Sequence, residues 1–171
     1  GLLPHNMSLN CDVIVQPPTN PSTGQSQPMV VASDGTVIVD SSGTVVSSLG
    51  CNSWYTSWVR TIPGYGSWQC PGGKTISSGI QEAINYIINT KGGAGGVVCI
   101  APGMYQAFPI YITSDLGNAS NITIRGAGMD ETIIQLALNP VPSIIETLIN
   151  LGNVSNIAIR DLTLLPYDQD Y

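Results

Sequence analysis

The chain has 171 residues, enough for one domain with its own core or for a small module ahead of a larger one. Only 9% of the residues are charged, against roughly 25% in ordinary soluble domains, and Gly, Ser, Thr and Asn fill the polar positions instead. A formal charge of −6, with five Lys plus Arg, argues against nucleic acid or any other polyanion as a partner, and no apolar run reaches the roughly 18 residues a membrane span needs.

The first residues, "GLLPHNMSLNC", lack a basic stretch followed by an apolar core, so they do not read as an intact signal peptide. They fit a mature N-terminus or a cut within a longer chain. Residues 1–32 contain "QPPTNPSTGQSQP" and read as an extended Pro-rich strap or linker. Residues 33–73 open with two Gly-Thr-Val units, Gly35–Val37 and Gly43–Val45, which predict a small β-meander. Trp54, Trp58 and Trp68 follow in a stretch without a clear period, expected to be an irregular loop.

Four cysteines, Cys11, Cys51, Cys70 and Cys99, include no Cys-x-x-Cys pair, and His5 stands apart from all of them, which argues against zinc. A bridge from Cys51 to Cys70 would close the Trp-rich loop and stabilise by roughly 3 kcal/mol in the loop-entropy view. Buried free thiols are the alternative. Asn-x-Ser/Thr sequons at Asn6, Asn118, Asn121 and Asn153, taken with the cysteines, tilt the expected location outward, to an extracellular or virion surface.

Residues 74–171 change grammar. "TISSGIQEAINYIINTKGG" places Ile76, Ile80, Ala83, Ile84, Ile87 and Ile88 on one helical face. Ser78 and Gln81 form a capping-box pair, Lys91 falls in the last turn, and Gly92-Gly93 stop the helix. Short runs rich in Ile, Val and Leu follow at 97–101, 110–113, 121–125, 132–136, 147–151, 156–160 and 162–165, with no helix-length segment between them. Within them "LGNASNITIR" (116–125) returns 35 residues later as "LGNVSNIAIR" (151–160), eight of ten positions matching. In each copy a Gly/Asn corner leads into a strand whose isoleucines, Ile122/Ile124 and Ile157/Ile159, share one face. A repeat of this kind predicts stacked coils about 4.8 Å apart.

The order "IQEAINYIINTKGGAGGVVCIAPGMY", "ITIRGAGMDETIIQL", "NVSNIAIRDLTL" resembles the opening of the pectate-lyase-like right-handed parallel β-helix superfamily over residues 74–165. The resemblance implies an all-β solenoid with an N-terminal capping helix; about two coils leave an open end that calls for cover, either by a chain that continues past Tyr171, the favoured reading, or by another chain. It says little about activity, since the superfamily includes polysaccharide lyases, glycoside hydrolases and tailspikes.

Catalytic candidates are sparse. Asp130 and Glu131 are adjacent and read as turn residues, and Asp168 and Asp170 fall in what reads as a solvated tail. "GAGMDE" lacks the third glycine and the helix of a nucleotide loop. Arg125 and Arg160 would stack if the repeat is in register, and two like charges there call for a carboxylate such as Asp161, solvent or an anionic ligand. Trp54, Trp58 and Trp68 suit either packing or a sugar-stacking platform. The expectation is a viral tail adhesin or tailspike segment. It resembles those of spindle-shaped archaeal viruses, and would be homo-oligomeric, bound to other tail proteins and directed at a host-surface glycan or glycoprotein. No cofactor, metal or membrane insertion is expected. The alternative is a secreted polysaccharide lyase or glycoside hydrolase whose active site lies outside these residues.

Overall fold

The computed structural model describes residues 10–65, 68–137 and 148–167. Eleven short strands and two helices are present among them: β1 (Val13–Val15), β2 (Val30–Ala32), β3 (Val37–Val39), α1 (Ser53–Val59), α2 (Ile80–Lys91), β4 (Gly96–Ile100), β5 (Gly103–Ala107), β6 (Ile110–Thr113), β7 (Ile122–Arg125), β8 (Thr132–Leu136), β9 (Ile149–Gly152), β10 (Ala158–Arg160) and β11 (Thr163–Leu165). They form three sheets: a six-stranded sheet in the order β10-β7-β4-β1-β2-β3, a three-stranded sheet β11-β8-β5 and a pair β6-β9.

The expected all-β solenoid is corrected by this architecture, which is mixed α/β, with short strands in parallel sheets and two helices. The strands from β4 onward pair in parallel, but the largest sheet runs on through β1 into the antiparallel strands β2 and β3. Nor does α2 act as a lid with one apolar face. Every residue from Ile80 to Ile88 is buried. Its polar positions are buried because they are bonded. The Gln81 amide donates to the Tyr111 carbonyl (3.0 Å) and accepts from the Tyr111 N–H (2.8 Å). One turn on, Asn85 donates to the Gly50 carbonyl (3.0 Å), and after another turn Asn89 donates to those of Leu49 and Cys51 (2.8 and 3.1 Å). A polar stripe at i, i+4, i+8 therefore docks the helix on the turn Ser48–Gly50, while the isoleucines fill the core.

The capping also differs from expectation. Ser78 turns away and donates to the Gln106 carbonyl (2.6 Å), while the Ser77 hydroxyl accepts from the Gln81 N–H (2.9 Å). Gly79, at φ 88°, makes the turn between them. Nor is the segment expected as a strap peripheral. Its "VIV" is β1, wedged between β4 and β2 with Val13 and Val15 fully buried, and the Pro-rich residues begin only after it. The stretch expected as an irregular Trp loop contains α1, whose first N–H groups are capped by the Asn52 side chain.

The two copies of the repeat lie side by side, Ile124 opposite Ile159 and Arg125 opposite Arg160. Their corners are joined by an amide ladder in which Asn156 donates to Asn121 Oδ1 and Asn121 donates to the Gly93 carbonyl (each 2.7 Å). Both asparagines are left-handed, at φ 62° and 59°. A side chain at Gly95 would collide with the Asn121 carbonyl, so the first rung of this ladder needs glycine beneath it.

Candidate functional site

A groove of about 350 Å³ opens where the meander, the loop after α1, the entry to α2 and the end of β5 meet. This is within the size range of small-molecule sites. Tyr65 and Phe108 form one wall, their ring centroids 5.5 Å apart and their planes at 77°. Lys74 stands on the opposite rim, its ammonium donating to the Ser42 carbonyl (3.0 Å). Ser42 in turn donates through its N–H and hydroxyl to Asp40 Oδ1 (2.9 and 2.6 Å), which holds the Asp40 carboxyl below its ordinary pKa. Gln106 projects from β5 into solvent, and its side-chain amide makes no hydrogen bond among the described residues. The next strand places Gln135 beside it in register.

The groove is held open by backbone bonds. Thr75 N–H donates to the Gly43 carbonyl (2.8 Å), Phe108 N–H to that of Ile76 (3.0 Å), and the Trp68 indole to that of Lys74. Its floor leads to an ionisable group. Thr75 accepts from the N–H groups of Ser77 (3.2 Å) and Gly79 (2.9 Å) and donates its own hydroxyl to Glu82 Oε1. Glu82 is fully buried, with the Ser77 hydroxyl as a second donor (3.3 Å). Burial outweighs these donors and pushes its pKa up to about 7. Among the described residues, Glu82 Oε2 and the hydroxyl of Tyr55 are both buried without a hydrogen-bond partner.

The Cys51–Cys70 bridge is formed, and Cys11 is bonded to Cys99. Two disulfides mark an oxidising, extracellular type of environment, and no described helix is long and apolar enough to cross a membrane. Trp54 and Trp58, both half-buried, stack edge-on against Tyr111, at 5.2 and 5.1 Å, while Trp68 is buried against Tyr55, so Trp68 is set apart from the other two. The aromatic pair that lines the groove is Tyr65 with Phe108, which are 43 residues apart in the chain.

Arg125 and Arg160 are neighbours in register, but Arg125 reaches back over the Cys11–Cys99 bridge, 3.7 and 3.5 Å from the two sulfurs, whereas Arg160 is exposed on the outer strand. Asp130 and Glu131 lie in the exposed turn before β8, and Asp161 occupies a left-handed corner at φ 60°. Asn118, Asn121 and Asn153 all lie in exposed corners; the Asn121 amide nitrogen is engaged in the ladder. His5, Asn6, Asp168 and Asp170 lie outside the described residues. No group of three or more His, Cys, Asp or Glu side chains gathers at metal-binding distance among the described residues. Comparison with family models, with characterised proteins and with solved structures finds no match.

Proposed function

We propose that this protein is an attachment protein of the tail-adhesin kind, carried on a virion surface and directed at a host-surface glycan or glycoprotein. The observation that carries the reading is the groove walled by Tyr65 and Phe108 and rimmed by Lys74 and Gln106. An aromatic wall beside unspent polar side chains suits a sugar, whose ring has apolar faces and a polar edge. The sparse charge and the two disulfides fit a protein that works outside the cell. Partners on the particle side are other tail proteins or further copies of the chain. β9, β10 and β11 each end a sheet on the same side, with Leu151 and Leu164 exposed there, and such edges favour association.

The test is binding of the native protein to an array of surface polysaccharides and glycoproteins, with the mass and copy number of the assembled particle protein measured alongside. Retention of one glycan class by a multi-copy, particle-associated chain is the expected result. Absence of binding across the array removes the reading. Release of shortened or unsaturated sugars from a bound polysaccharide would transfer the protein to the lyases or hydrolases.

A further inference from the structure

The groove's charge balance narrows what it accepts. Among the described residues Lys74 is its one charged lining residue, and its ammonium sits on the turn whose head is Asp40: Lys74 bonds the Ser42 carbonyl, while Ser42 bonds the Asp40 carboxylate. The Asp40 carboxylate sits at the head of the same turn, and the Lys74 ammonium helps to lower its pKa, so part of the positive potential is offset within the rim. The rest of the chain, at −6, repels anionic polymers at a distance.

What remains unspent is neutral. The Gln106 amide offers a donor pair and an acceptor, and Gln135 lies opposite it across the parallel strands β5 and β8, at a spacing of about 4.8 Å. The Tyr65 hydroxyl likewise makes no hydrogen bond among the described residues. Groups that both donate and accept match sugar hydroxyls, which do the same. The two rings, at 77° to each other, form an apolar corner for the C–H face of a pyranose.

We infer that the groove binds an uncharged saccharide, with a pyranose face against Tyr65 and Phe108 and its hydroxyls held by the Gln106 amide. This rests on the attachment reading above and names the ligand class of that site. Lys74 shapes the rim through Ser42 and does not act as a counter-ion to the ligand.

Titration calorimetry of the full chain with cello-, manno- and chito-oligosaccharides, and with oligogalacturonate as the anionic counterpart, tests the inference. Expected are binding to at least one neutral oligosaccharide and an affinity that stays level as sodium chloride is raised. Gln106→Ala should lose about tenfold in affinity and Lys74→Gln less than about twofold. Met104→Ala, on the same strand and exposed outside the groove, controls for folding and should bind as the parent does. Binding of oligogalacturonate alone, weakening with salt and abolished in Lys74→Gln, overturns the inference and leaves the attachment reading standing. Neutral binding that Gln106→Ala does not change also overturns it, because the ligand then sits elsewhere. No binding by any of the four overturns it too, and the polysaccharide and glycoprotein array then decides whether the attachment reading falls with it.

Discussion

The two copies of the repeated ten residues share a left-handed asparagine and the strand that follows it, but not an environment. In the first, Ile122 and Ile124 are at most 1% exposed; in the second, Ile157 and Ile159 are only half-buried. Arg125 is half-buried over a disulfide, while its counterpart Arg160 is exposed. The difference comes from position. β7 lies between β4 and β10, whereas β10 ends the sheet. The Asn121 and Asn156 corners match, whereas the Leu-Gly-Asn ahead of them is a turn with Gly117 at φ 127° in the first copy and the end of β9 with Asn153 at φ 56° in the second, so neighbours set part of the conformation as well as the energy.

Four experiments would break or sharpen that contrast. The largest effect belongs to the covalent tie beside the first copy. The paired change Cys11→Ser/Cys99→Ser opens a link across 88 residues and should cost about 4.5 kcal/mol, against about 3 for Cys51→Ser/Cys70→Ser, which spans 19, both read as denaturation midpoints under oxidising conditions. Next, Ile124→Ala should cost about 3–4 kcal/mol and Ile159→Ala about 1–2, because only the first leaves a sealed cavity. Equal losses would mean that the second copy is covered in solution by something other than the described residues.

Third comes pH, which acts on the buried side alone. Glu82 has an ordinary pKa of 4.5 and is raised to about 7 by burial. Between those values the folded state holds a proton that the unfolded chain has released. Stability is therefore greatest below the lower value, falls as pH rises through the window by about 3 kcal/mol, and levels off above it. Glu82→Gln should flatten the profile in urea titrations at stepped pH. Smallest is the ladder: Asn121→Ala should cost about 2 kcal/mol, and Asn156→Ala, with one fewer ladder bond, about 1.

Local signals carried much of the fold's inventory. The isoleucine period marked α2, its Gly92-Gly93 stop is where the helix ends, and the Asn-x-Ser-Asn corners marked the starts of β7 and β10. Three features were not legible because they depend on distant partners. β1 is three residues long and gains its meaning from β4, over eighty residues away. On α2, Gln81 and Asn85 are buried against the Tyr111 backbone and the Gly50 carbonyl, partners 30 and 35 residues away. That burial, with the antiparallel strands beside β1, is why an all-β reading of the repeat failed. The groove draws Ser42, Tyr65 with Lys74, and Gln106 from three separate stretches, more than twenty residues apart from one to the next. Glu82 owes its raised pKa to burial that the sequence around it does not show.

The Cys11–Cys99 bond also fixes how tension runs through the molecule. A pull applied at the start of the chain passes at Cys11 through the sulfur bridge directly into β4 and thence to β7 and β10, so the 87 residues between the two cysteines stay slack. The groove takes most of its lining from that slack loop, and only Gln106, Phe108 and Ala137 lie past Cys99 on the loaded path.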